Sequence, residues 1–166
     1  MSELEMISND REKEDLDNWK YIPPCMYCAV VICFDEEVLF DEIDTAIGIS
    51  ATTTMQHHLT RINPFTHKHN PGYWEYEMEK MCSESCENLL DQIHDFLLHY
   101  GAGIRTVLDR YATSKLIIRI FLDIRQPDAF PDITIEKNIM EVILPLGGSI
   151  DIVVSEDFCK EYNEST

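Results

Sequence analysis

Basic residues are scarce in this chain. Thirteen lysines and arginines stand against 31 aspartates and glutamates, a formal charge of −18 over 166 residues. A field of that sign repels nucleic acid and anionic membranes and speeds encounter with basic partners. Its plainest alternative is a well-solvated surface. Long apolar runs are missing too. No stretch reaches the roughly 18 apolar residues of a membrane helix. The acidic start "MSELEMISNDREKEDLDNWK" has no apolar core of the kind a signal peptide carries. The expected location is therefore the cytoplasm, and the six cysteines, at 25, 28, 33, 82, 86 and 159, are expected as reduced thiols.

Familiar catalytic signatures are absent as well. There is no GxSxG, P-loop, GxGxxG or HExxH, so no catalytic residue is nominated and an enzyme is not the expected class. One further absence is local. From Thr45 to Trp74 there is no Asp or Glu, and the span is charged by Arg61, Lys68, His57, His58, His67 and His69.

What is present is strong periodicity. Residues 27–34 are apolar at every position, as a strand buried on both faces requires. Phe40, Ile43 and Ile47 recur at helical spacing, with Gly48 as the C-cap. Residues 73–79 alternate, with Trp74, Tyr76 and Met78 on one face and Glu75, Glu77 and Glu79 on the other. Residues 83–99 carry an apolar stripe of Cys86, Leu89, Leu90, Ile93, Phe96 and Leu97, with Ser83 as the expected N-cap. "YGAG" is expected to end that helix, and a shorter one follows over 103–111. Residues 114–125 form a long strand with Leu116, Ile118, Ile120, Leu122 and Ile124 inward. A third helix covers 134–144, stopped by Pro145 and Gly147-Gly148, and a last strand covers 149–154. The expected architecture is α/β of the α+β type: a two-layer sandwich with a short mixed or antiparallel sheet and helices on one face. The domain is expected over 21–158, between an acidic flexible tail at 1–20 and an acidic C-terminal tail at 159–166.

The pattern of an apolar strand, a helix ending "AIG-I", a variable loop, "GYW-E-Y", long amphipathic helices and a final "ILPLGGSIDIVV" resembles the bacterial domain-of-unknown-function 4279 family. The matching residues are Ile135 to Leu146, Gly147 and Ile150-Asp151-Ile152, and the resemblance runs from about residue 25 to 156. It implies a fold and carries no reaction. By analogy it points to genes near toxins and defence systems, where small acidic domains serve as immunity proteins. "HKHNPGYW" departs from the family's Lys-Gly-Asp-like turn.

Two regions are candidate sites. The polar faces of the strands carry Glu75, Glu77, Arg119, Asp123, Arg125 and Asp151, expected as cross-strand ion pairs or as a partner-binding face. The span His57, His58, Arg61, His67, Lys68 and His69 is expected as a surface loop, with anion contact as its sharper reading. It docks on the protein's own acids or takes a phosphate or carboxylate, more strongly as pH falls through about 6.5. No cofactor is called for. Zinc is the weaker alternative, on His67 and His69 or on Cys25, Cys28, Cys82 and Cys86. Cys33 and Cys86 are expected in the core, and His94 and His99 at its edge.

Three functional readings follow. The first is an acidic cytoplasmic protein that binds a basic partner, most concretely an immunity protein neutralising a cognate toxin such as a nuclease. The second is a ligand- or metal-binding sensor or enzyme domain that uses the histidine loop. The third is a structural homodimer formed through the open sheet face. None involves nucleic acid or a membrane.

Overall fold

Apolar alternation drives the sheet, and one amphipathic helix covers it. The computed structural model describes residues 23–83, 85–124 and 130–156. In chain order the described residues form β1 (Cys25–Phe34), α1 (Phe40–Ile47), β2 (Thr53–Met55), β3 (Gly72–Glu77), β4 (Met81–Cys82), α2 (Glu87–Arg110), β5 (Lys115–Ile124), α3 (Lys137–Ile143) and β6 (Ser149–Glu156). Single 3-10 turns follow β2 at His57–Leu59 and α3 at Leu144–Leu146.

The sheet runs β2-β3-β1-β5-β6, with β4 also on β1. All pairs are antiparallel except β5 with β6. The parallel pair needs a crossover, and α3 supplies it. The sheet is therefore mixed and the fold is α/β, as the strand and helix patterns require. The three helices lie side by side, α1 and α3 each against α2.

β1 is central. Met26, Cys28, Val30, Ile32 and Phe34 meet Leu116, Ile118, Ile120, Leu122 and Ile124 of β5 in one core under the helices. Each such side chain contributes about 1.5–3 kcal/mol by leaving water. Trp74 is fully buried, and its indole N–H donates to Asp44 Oδ1 at 2.7 Å. The same oxygen accepts the amide of Ala51 at 3.0 Å, so one carboxylate ties the end of α1 to the strand that follows.

Several expectations are corrected. The helices expected at 83–99 and 103–111 are one helix of 24 residues that runs straight through "YGAG". Gly103 is there for packing. A Cβ on it would stand 2.4 Å from the carbonyl oxygen of Ala46 and 2.6 Å from Ile47 Cα, so its absence lets α1 rest on the backbone of α2. Ser83 does not cap this helix. Cys86 holds the capping position, and it is Ser85 Oγ that accepts the Glu87 amide. The third helix begins at Lys137, three residues later than expected, and ends at Ile143, since Pro145 has no N–H to continue the ladder; the chain then tightens into the 3-10 turn, where proline fits the first positions. Gly147 then turns the chain with φ of 66°.

β2 and β4 were not foreseen, being three and two residues long. Between β3 and β4, Met78, Glu79 and Lys80 lie opposite Tyr27 and Cys28, an extra residue that makes a bulge. Beyond the bulge Cys25 and Cys82 are register partners and are joined by a disulfide, so the expectation of a reduced thiol is corrected for this pair. Cys28 and Cys86 are buried free thiols. Cys33 is half-buried on the opposite face of the sheet, so its expected place in the core is also corrected. The tails expected at 1–20 and 159–166, with Cys159, lie outside the described residues. Among the described residues no helix is long and apolar enough to cross a membrane.

The two helical glycines predict opposite responses. Gly103→Ala is expected to lower stability by roughly 1–3 kcal/mol, because backbone must move to admit the methyl group. Gly101→Ala meets only Leu146 Cδ1 at 3.9 Å, so removing a helical glycine is expected to raise stability by up to about 1 kcal/mol. Thermal melts of the two variants test this, and equal shifts would refute the packing role of Gly103.

Candidate functional site

Strand alternation sends every second residue of the sheet away from the helices. On that face β1 carries Tyr27, Ala29, Val31 and Cys33. Arg119 and Glu77 flank Ala29, while Ile117 and Glu75 flank Val31. On the far side Asp151 of β6 is the register partner of Arg119. Small Ala29 leaves room above it, and Arg119 Nη1 reaches diagonally to Glu75 Oε2 at 3.8 Å. Asp123 lies further along the same strand, with Lys80 Nζ at 3.8 Å. The structure thus puts Glu75, Glu77, Arg119, Asp123 and Asp151 on one face, while Arg125 lies outside the described residues.

Apolar surface interleaves these charges. Tyr27 stacks on Phe121 with ring centroids 4.4 Å apart, and the Arg119 guanidinium sits 5.9 Å from the Phe121 ring. Val153 of β6 is 40% exposed. Partial burial among these groups perturbs the acids. Desolvation pushes the Glu75 carboxyl up, the neighbouring Glu77 charge adds to this, and Arg119 opposes both. Burial likewise raises the Tyr27 phenol, helped by Glu77 and Glu75. The Cys28, Cys33 and Cys86 thiols are all raised, chiefly by burial, which leaves them protonated and poorly nucleophilic.

The histidine stretch is a folded loop. Its base is clamped by Gln56, whose amide donates to the Val38 carbonyl at 2.7 Å and whose oxygen accepts the Val38 amide. Gly72 passes so close that a Cβ would stand 2.6 Å from the His57 nitrogen. At the tip, Asn63 Oδ1 accepts the amides of Phe65 and Thr66, and Asn63 N donates to the Lys68 carbonyl. His67 adopts a left-handed φ of 54°. That turn breaks the extended geometry which would set His67 and His69 on one side, so the HxH metal pair is corrected. His69 instead meets His57, ring centroids 5.7 Å apart, and its Nδ1 donates to the Thr60 carbonyl at 2.8 Å. His58 Nδ1 lies 2.6 Å from Glu37 Oε1, which ties the loop to the acidic body. Arg61 and Lys68 are exposed.

The four-thiolate arrangement does not assemble. Cys25 is bonded to Cys82, and Cys28, three residues along the same strand, points to the opposite face. Among the described residues no three His, Cys, Asp or Glu side chains are placed to share a metal ion.

Sequence reasoning missed a groove of about 530 Å³ between α2 and the end of β3, floored by Tyr76, Phe96 and Tyr100. Its signals were Tyr76, on the Trp74 side of β3 past its pairing with β2, and Phe96 with Tyr100 at helical spacing. A smaller pocket of about 220 Å³ lies where α2 begins, lined by Cys86, Asp91, Asp132 and Asn138 among others.

Glu75 predicts a pH signature. Its folded carboxyl holds its proton to higher pH than the unfolded one, so stability falls as pH rises from the unfolded value through the folded one. Glu75→Gln removes the buried charge. It is expected to raise the melting temperature near pH ~7 and to lose that advantage toward pH ~4. A gain independent of pH would argue against desolvation as the cause.

No curated protein and no solved structure matches the chain. The family described as Domain of unknown function (DUF4279) matches residues 25–156. That span begins with the first residue of β1 and ends with the last of β6, so the chain belongs to this family.

Proposed function

We propose that this protein is a binding module for a basic protein, in its most concrete form an immunity protein that neutralises a toxic nuclease. The observation that carries this reading is the sheet face that no helix covers among the described residues, where Glu75, Glu77, Asp123 and Asp151 share one surface with Arg119 and Lys115, and Lys80 reaches in to Asp123. Half-buried Tyr27, Ile117 and Phe121 stand among them. A polar pattern around aromatic and aliphatic patches is the make-up of a specific interface. The overall charge of −18 would steer a basic partner toward it. Arg119, held among carboxylates, would fix the partner's register by rejecting a misplaced cation.

The reading takes the protein to be cytoplasmic. Disulfides are rare in that compartment, so the Cys25–Cys82 bond tests this location: intact mass before and after alkylation of freshly lysed cells that shows the pair oxidised would count against it.

The histidine loop supports a second reading. Among the described residues neither Arg61 nor Lys68 has an acidic partner, and the span around them contains no acid. Such a spot would accept a phosphate or carboxylate.

The product of an adjacent gene encoding a basic protein is the partner to try first. Its association rate is expected to fall steeply between ~50 and ~500 mM salt. Charge reversal of Glu77 and Asp151 is expected to slow it further. A rate insensitive to salt and to both changes would sink the first reading, and light scattering would show whether the chain pairs with itself instead. For the loop, inorganic phosphate added at pH ~6 is expected to shift its NMR signals. Unmoved signals would remove that reading.

A further inference from the structure

The groove that the sequence did not reveal has a definite chemistry. Tyr76 stacks on Phe96 with centroids 4.9 Å apart, and Phe96 meets Tyr100 at 4.7 Å, tilted by 46°. His99 stands edge-on to Tyr100 at 4.5 Å. The three aromatic rings form a continuous floor that water covers only in part. Above it the rim carries Glu77, Glu79 and Asp95. No lysine or arginine is among the lining residues. Lys80, next in sequence to Glu79, has its ammonium at Asp123 on the open face of the sheet. Met78, Gln92 and His99 complete the lining, and Asp95 Oδ1 also stands 3.5 Å from His94 Nδ1. Aromatic faces present negative charge at their centres and the rim carboxylates add to it, so the groove as a whole favours a cation.

We propose that this groove seats an arginine side chain of the basic partner. Guanidinium suits it better than ammonium. It is planar, stacks on rings, is weakly hydrated, and offers paired N–H donors to carboxylates at the rim. The groove also joins the proposed interface. Glu77 belongs to both, lying opposite Ala29 on the open face and lining the groove. β2 pairs with β3 from Tyr73 to Glu75 and leaves the end of β3 open at the sheet edge, where the Glu77 amide turns to Thr52 Oγ1. A segment lying on the face therefore has a path around that edge, and the arginine would enter there. The inference takes the partner's basic character from the reading above. The groove's own preference for guanidinium rests on the rings and carboxylates alone.

The test separates the two. The full chain, isotopically labelled, is titrated with a blocked Gly-Arg-Gly peptide and with its lysine counterpart. Saturable shifts are expected at Tyr76, Asp95, His99 and Tyr100, with the lysine peptide weaker by at least about threefold. Tyr100→Leu keeps the groove filled while removing a ring, and the pair Glu79→Gln with Asp95→Asn keeps the shape while removing charge. Each is expected to weaken the arginine peptide by at least about threefold. Glu141→Gln, an exposed acid on α3 outside both surfaces, is expected to leave it unchanged. Shifts scattered over the acidic surface without saturation would overturn the proposal. So would equal binding of lysine, or groove variants that bind like the parent. Peptide binding at the groove in a chain that captures no basic protein would instead count against the wider reading alone. A partner complex unaffected by Tyr100→Leu would overturn the groove's part in it.

Discussion

The backbone contact between Gly103 and the Ala46–Ile47 turn decides how the helical layer sits. α2 spans 24 residues and supplies Leu89, Leu90, Ile93, Phe96, Leu97, Ile104 and Val107 to the core. A helix that long must lie flat on the sheet while α1 lies against its flank. A side chain at 103 would hold the two backbones apart, since its Cβ would already be inside the carbonyl of Ala46. The close approach brings Asp44 to the Trp74 indole, and through Asp44 it fixes Ala51 and the start of the loop region. β3 itself is placed by its pairing with β1, and the contact sets how α1 meets it through Trp74.

The opposite face obeys a different constraint, which is partial desolvation. Ala29 and Val31 are fully covered although no helix lies over them among the described residues. The long side chains around them cover them instead. Arg119 and Glu75 give up part of their hydration in doing so, which is why the Glu75 carboxyl is raised although a guanidinium stands 3.8 Å away. At that distance the attraction offsets the loss of water only in part. A partner that completes the shell would alter this balance, so recognition and ionisation on this face are linked.

Much of the architecture was legible because local pattern and tertiary packing agreed. The alternation in 115–124 and the stripe of α2 named their buried residues, since a residue's face in regular structure depends on its number alone. Glu75, Glu77, Arg119, Asp123 and Asp151 could be assigned to one face on the same ground. The failures fall where two chain segments touch. Gly101 and Gly103 look like a helix end, because a glycine needed for close approach and one needed for a left-handed turn are the same letter. His67 and His69 look like a pair until the left-handed turn at 67 separates them and His57 takes the place of His67. Phe96 reads as core and is buried, but only the fold shows that Tyr76 and Tyr100 flank it half-buried where β3 runs past the end of β2.

The sequence by itself determined the helix and strand periods, the acid excess, the acid-free span and the faces of the alternating residues in β5 and in β3 as far as Glu77. These are properties of composition and spacing, and they survive without knowledge of neighbours. Tertiary structure alone decided that α2 is continuous, that Cys25 faces Cys82 beyond a bulge, that β6 runs parallel to β5, and that three aromatic rings open beneath three carboxylates. Each of these depends on which segments are brought side by side. That choice is made by the whole core at once, through close packing and excluded volume, and no local window of residues contains it.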